Sequence, residues 1–371
     1  MATTIYFGTN RGLDRRSPPE FNNGFHEDGP RFYRVGEVAV SRKGNPWKLD
    51  GEAYKAGEPV LGKEKRPSKT NPQGVPASPK LFDTMRTAMA GETRDAVVFL
   101  HGFASTFASA MERAAEIAEQ YLSVPGEEDD KATEPLVFAF SWPSDGEMFR
   151  ADEGGWAYSG DREQAKESGP AMARCAMRLF EYLATLKRDE RCQQRIHLVA
   201  HSMGNWALRS GVQAILDFAE TSNVPVPMVF DNVFLMAADI EADCLEDEHW
   251  LAPLFGMARW VHVYHADNDK ALSASDLKPN QGNRLGHQGP RNMAVLPDTV
   301  RAIDCRDVSW TPGDKAVRHQ YYRLAPEVIR DVRAVLAGTP EEEMDWRVPG
   351  GVPGRFRIKL DTKARDKLRK K

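Results

Sequence analysis

"RIHLVAHSMGNWALRS", residues 195–210, decides the fold. Its first part, "IHLVA", is a short uninterrupted apolar run that reads as a strand. From Met203 the pattern is helical. Ala200-His201-Ser202-Met203-Gly204 is therefore a strand-to-helix turn. A turn this tight strains the central residue and leaves no room for a large side chain two positions before or after it. Ala200 and Gly204 meet that limit, as a G-x-S-x-G elbow with Ala in the first place. Such a turn lifts the Ser202 hydroxyl clear of the sheet and aims it at a helix N-terminus, where backbone N–H groups are free. A serine that caps a helix is the plainer alternative. The strand before it and the helix after it favour a nucleophile.

Working outward, the same texture repeats. "AVVFL" (96–100), "LVFAF" (136–140), "NVFLMAA" (232–238) and "WVHVYHA" (260–266) are continuous apolar runs, and "VRAIDC" (300–305) is a weaker one. Short runs without polar alternation suit a parallel sheet buried on both faces. Helical patterns separate them at 107–122, 162–186 and 204–220. "APEVIRDVRAVLAG" closes the series, with Pro326 suited to a first helical turn and Gly338 to a C-terminal cap. Strands alternating with helices imply an α/β fold with a mostly parallel central sheet and helices on both faces.

The 371 residues suit one sizeable domain with extensions. Three regions are expected: an irregular N-terminal extension with short edge strands over 1–94, a catalytic core over 95–338, and a basic tail over 339–371. From Arg355 onward nine Lys or Arg face two Asp, which reads as a solvated, frayed end. The formal net charge of -4 gives no global field for nucleic acid. No apolar run is long enough to span a bilayer, and no leader is visible, so a cytoplasmic location is expected. The four cysteines are scattered, neither paired as CxxC nor at zinc-finger spacing, and read as reduced thiols. The oligomeric state stays open.

A serine hydroxyl needs a base to take its proton. The chain should supply an acid and then a histidine, in that order, at strand ends after the elbow. It also needs a second oxyanion donor near an earlier strand. "VVFLHGF" provides that donor: Gly102 allows a close turn, so the Phe103 N–H could join the Met203 N–H at one developing oxyanion. For the acid, "WVHVYHADNDKAL" offers Asp267 and Asp269, and Asp239 ends another strand. His262 and His265 sit close to these aspartates, but strand alternation places the two histidines on opposite faces, so no metal site is expected. No cofactor is expected either. For the base, only His287 and His319 follow Asp269. His319 lies between the last core strand and the closing helix, on the same rim as the elbow, and is preferred. Trp142 ends a strand and is a candidate for the substrate pocket, with a core tryptophan as the equal alternative. "RADEGGWAYSGD" (150–161) is a candidate lid hinged at Gly154 and Gly155.

At this point the chain resembles a known group, the α/β-hydrolases described as esterase/lipase superfamily enzymes, domain of unknown function nine hundred. "YFGTNR" and "RVGEVAVS" look like that family's N-terminal strands. "FLHGF", "FSWPSDG", "AYSGDREQAKES", "LVAHSMGN", "MAADIEAD", "NDKAL", "RLG" and "RHQYY" follow in the family's order. The resemblance implies Ser202 as nucleophile, Asp269 as acid and His319 as base.

The expected activity is therefore cleavage of a small-molecule carboxylic ester through a Ser202–Asp269–His319 triad. An amide, thioester or lactone could use the same residues. A non-catalytic binding protein on the same fold, or an anionic partner for the basic tail, are the rivals from other classes.

Overall fold

In a computed structural model the protein is described over residues 2–14, 20–44, 53–62, 77–121, 134–145, 149–150, 155–156, 158–188, 190–247, 249–276, 283–311, 314, 317–363 and 365. One 12-stranded sheet organises the chain. Its strands are β1 (Ala2–Thr9), β2 (Arg34–Arg42), β3 (Tyr54–Ala56), β4 (Val60–Leu61), β5 (Ala96–Leu100) and β6 (Leu136–Ser141). They are followed by β7 (Ile196–His201), β8 (Phe230–Met236), β9 (Ala258–His265), β10 (Val300–Asp304), β11 (Arg347–Pro349) and β12 (Arg355–Ile358). The order across the sheet is β11-β12-β10-β9-β8-β7-β5-β6-β1-β2-β3, with β4 also paired to β2. Every pairing from β12 across to β1 is parallel, and antiparallel strands finish both edges.

The apolar runs become the central strands because both faces are covered. In β5, Val97 and Phe99 enter one core with Met111 of α2 (Phe107–Gln120) and Val328 of α6 (Pro326–Ala337). Ala96 and Leu100 enter the other, with Met85 of α1 (Ser78–Glu92), Phe180 of α4 (Gly169–Thr185) and Val212 of α5 (Gly204–Ser222). Helix α6 starts on Pro326 and ends before Gly338, whose φ of 74° is the left-handed cap glycine tolerates.

Two expectations change, and a third gains detail. The segment 162–186 is not one helix: α3 (Tyr158–Glu167) ends before Gly169-Pro170 starts α4. Proline lacks the N–H that a continuous helix would use there. The N-terminal strands extend one edge of the core sheet, as expected. β1 lies inside it, parallel to β6, with Ile5 and Phe7 fully buried. The segment from Arg355 is not a frayed tail at its start, because β12 pairs parallel with β10. Beyond it, the buried Arg365 reaches the Glu327 carboxylate at 2.9 and 3.0 Å and the Val308 carbonyl at 2.5 Å. A basic composition alone does not show that one arginine has a buried acid to meet. In the candidate lid, Phe149–Arg150 pairs with Gly155–Trp156, while Gly154 lies outside the described residues.

Removing Arg365 leaves the Glu327 carboxylate buried without its partner, which typically costs ~3–5 kcal/mol. Arg365→Ala should therefore lower the urea unfolding midpoint clearly. An unchanged midpoint would restore the solvated-tail reading.

Candidate active site

Ser202 follows the last residue of β7, and its backbone has a φ of 52°. That left-handed conformation is costly for a side-chain-bearing residue, and the surroundings hold it. The Ser202 N–H donates to Met236 O at the end of β8 (2.9 Å), and the Ser202 carbonyl accepts from Asp239 N (3.2 Å). The fully buried Asn205 side chain donates to the same carbonyl (2.9 Å) and to Ala200 O (3.2 Å). The small-residue rule is visible in distances. A Cβ on Gly204 would lie 2.6 Å from His101 O and 2.7 Å from Leu100 O. A Cβ on Gly102 would lie 3.0 Å from the Ser202 Cβ. The loop after β5 thus lies directly against the elbow.

That loop carries Phe103. Among the described residues, neither the Phe103 N–H nor the Met203 N–H donates to a protein acceptor. The next N–H, on Ala104 (φ 53°), donates to Asp161 Oδ2 at 3.3 Å. Asp161 also accepts from the Ser144 hydroxyl. Arg11, wholly buried, ties the arrangement together. It donates to Ser105 O (2.6 Å), Ser144 O (2.9 Å) and Ser141 Oγ (2.9 Å). Burial pushes the Arg11 guanidinium down to about 9 against the attraction of Asp161, and pushes the Asp161 carboxyl up to about 6. His101 is held neutral, near 3, by burial and then by Arg11.

Across the elbow, Asp269 is fully buried after β9. One carboxylate oxygen accepts from the N–H groups of Ala271 (3.0 Å) and Leu272 (3.2 Å), and the other lies 2.6 Å from His319 Nδ1. Burial alone would lower the His319 pKa. The Asp269 charge and hydrogen bond outweigh it and hold the imidazole above its usual value. The His319 ring centroid is 4.8 Å from that of His201, the residue before Ser202. Asp314 fixes the histidine's backbone, accepting from the N–H groups of His319 (2.5 Å) and Gln320 (2.6 Å). Ser202 and His319 are 6% and 8% exposed, so both are recessed. Among the described residues the Ser202 hydroxyl makes no hydrogen bond to His319, a contact that often tightens only when substrate is bound.

The rival residues have other employment. Asp267 is exposed and pairs with Arg306 at 2.9 Å. Asp239 accepts from the Tyr158 hydroxyl at 2.8 Å and lies 3.3 Å from Arg284. His287 Nε2 is 2.6 Å from the Asp267 carbonyl oxygen, away from the Asp269 carboxylate that His319 meets. His262 contacts Asn232 Oδ1 at 3.0 Å and stacks on Phe234. Trp142 requires a correction. It is fully buried, donates from its indole to His101 O (3.1 Å) and stacks on the His101 ring at 4.8 Å. It supports the loop from beneath and offers no surface to a substrate. The residues missed by sequence reasoning are Arg11, Asn205, Asp161 and Asp314. Each acts on a backbone group of another segment or turn, which a motif does not display.

Compared with protein-family models, residues 82–338 match the family described as alpha/beta hydrolase of unknown function (DUF900). Among solved structures, the product of the lin2722 gene from Listeria innocua aligns with 72% of this chain and 99% of its own, at 14% identity and a TM-score of 0.35. A comparison with curated proteins gave no match.

Asp269→Asn removes the charge that raises the His319 pKa, so the histidine should lose its proton at lower pH. An NMR titration of its imidazole should show a midpoint above 6.5 in the parent and a clearly lower one in the variant. Asp267→Asn should leave that midpoint in place. The opposite pattern would reassign the acid.

Proposed function

The chain belongs to the α/β-hydrolase family of unknown function DUF900, and from that premise we propose that it is a serine hydrolase cleaving a carboxylic ester through an acyl-enzyme. The observation that carries this reading is the pair of unengaged N–H groups, Phe103 and Met203, beside a serine held at positive φ. Two such donors suit an oxygen that gains negative charge, and one is typically worth roughly 3–4 kcal/mol of transition-state stabilisation.

In the proposed reaction His319 Nε2 takes the Ser202 proton as Oγ attacks the ester carbonyl. The carbonyl π electrons move to oxygen, where the two N–H groups receive them. Asp269 keeps Nδ1 protonated and stabilises the imidazolium. Collapse of the tetrahedral intermediate breaks the bond to the alcohol, which leaves with the Nε2 proton. Water then attacks the acyl-enzyme, giving its proton to His319, and Ser202 recovers one as the acid departs. Arg11 and Asp161 act through the loop they hold. The neutral His101 adds no charge at the hole.

Esters, amides, thioesters and lactones share this machinery, and product analysis on a panel of all four separates them. A binding protein on the same fold would leave Ser202 unlabelled by a fluorophosphonate. No helix among the described residues is long and apolar enough to cross a membrane. The four cysteines are all unpaired thiols, which supports a reducing compartment and the cytoplasmic location in this proposal.

Ser202→Ala should lower p-nitrophenyl butyrate turnover by several decades, roughly 10⁶-fold in a comparable triad. His319→Ala should match it, while His287→Ala stays near the parent. Equal turnover by the serine variant would sink the proposal. Arg11→Met should lower kcat by about 10²–10³, the size of a lost oxyanion donor, with KM little changed. A change in KM alone would remove Arg11 from the loop's support.

A further inference from the structure

A cavity of about 1000 Å³ among the described residues touches none of Ser202, Asp269 and His319. It lies on the side of the sheet covered by α1, α4 and α5. Val98 and Leu198 rise from the strands, and Met85, Met172, Cys175 and Ile215 close it from the helices. Packed interiors hold few voids larger than a water molecule, whereas pockets for small molecules run to roughly 300–1,000 Å³. The size belongs to the second class.

Its position is set by the sheet. Ala96, Ile196 and Phe230, the first residues of β5, β7 and β8, all line it. The exposed lining residues Arg191, Met228 and Arg259 lie at that same end. The mouth is therefore where the strands begin, and Ser202 is where β7 finishes. From Ala96 the cavity follows β5 to Leu100, about 13 Å at the usual rise per residue.

The chemistry of the walls and mouth selects an occupant. None of the buried side-chain atoms left without a hydrogen-bond partner belongs to a lining residue, so the interior asks for no polar group. Several methionines line it, and their flexible thioethers adapt to an extended chain. The lining carries Arg86, Arg191, Arg195 and Arg259 against only Glu181 and Asp231. Most of these charges are met: Arg86 pairs with Asp83 at 2.9 Å, Arg195 with Asp95 at 2.8 Å and Arg259 with Asp231 at 3.7 Å, while Glu181 is taken by Arg178 at 2.6 Å. Arg191 has no acidic partner among the described residues. Arg191 thus leaves one unpaired positive charge at the mouth, and the interior is apolar, with aromatic rings such as Phe138 and Phe180 among its walls.

We propose that this cavity binds a single-chain aliphatic carboxylate, with its tail along β5 and β7 and its carboxylate at the unpaired Arg191, beside Arg259. The site is independent of the chemistry at Ser202 and stands or falls separately from it.

Calorimetric titration of the full chain with octanoate, decanoate and dodecanoate as monomers tests this. Each added methylene should tighten Kd about fourfold until the cavity is filled, from ~0.8 kcal/mol per buried CH₂. Hydrogen exchange with dodecanoate bound should show protection in 172–186 and 196–198 and none in 101–106. Ala176→Trp, which puts an indole into the cavity, should weaken dodecanoate by at least about tenfold while p-nitrophenyl acetate turnover stays at the parent level. Arg191→Ala with Arg259→Ala should weaken dodecanoate but not 1-dodecanol. The proposal is overturned by affinity that ignores chain length, by protection confined to 101–106, or by binding only to phospholipid vesicles. Should Ala176→Trp fail to fold, the exchange pattern of the parent decides.

Discussion

The backbone of Ser202 has to sit in a conformation that side-chain-bearing residues avoid, at a typical cost of ~1–3 kcal/mol. The rest of the site follows from how the fold sustains it. Main-chain bonds from the end of β8 and from Asp239, with the Asn205 side chain, over-determine the turn. Gly204 then lets the turn press against the carbonyls of Leu100 and His101. That contact puts the Phe103 loop beside the serine. The strain and the juxtaposition of two loops have the same origin, a parallel pair of strands ending side by side.

The loop on the Phe103 side is held by buried charge as well as by its packing on Trp142. A fully buried guanidinium is expensive unless its donors are met. Arg11 meets the carbonyls of Ser105 and Ser144 and the hydroxyl of Ser141, with Asp161 close enough to oppose its loss of charge. The first strand therefore reaches into the heart of the molecule. β1 pairs with β6, and the residue two places after β1 holds the loops that follow β5 and β6. On the other side, Asp314 does similar work for the His319 backbone.

The two ends of the parallel sheet consequently differ in character. Where the strands finish, strained turns and buried charges converge. Where they begin, α1 and α4 leave an apolar space with the unpaired Arg191 at its mouth. The space lies on the side of α1, α4 and α5, while α2 and α6 fill the opposite core.

Local pattern was enough for much of this. Uninterrupted apolar runs marked the buried strands because burial on both faces removes the need for polar alternation. "AHSMG" marked the elbow because steric limits at a tight turn act on neighbours in sequence. The choice among Asp239, Asp267 and Asp269 was different, since all three follow strands and look alike in one dimension. The family resemblance alone favoured one of them, and packing sets them apart: Asp269 is fully buried and 2.6 Å from His319, while Asp267 faces Arg306 at the surface. Trp142 shows the same limit, for its position at a strand end was legible but the side it faces was not. Arg11 and Arg365 were decided by tertiary structure alone. Their partners are backbone carbonyls and a buried carboxylate brought near by the fold, and a sequence records none of these distances.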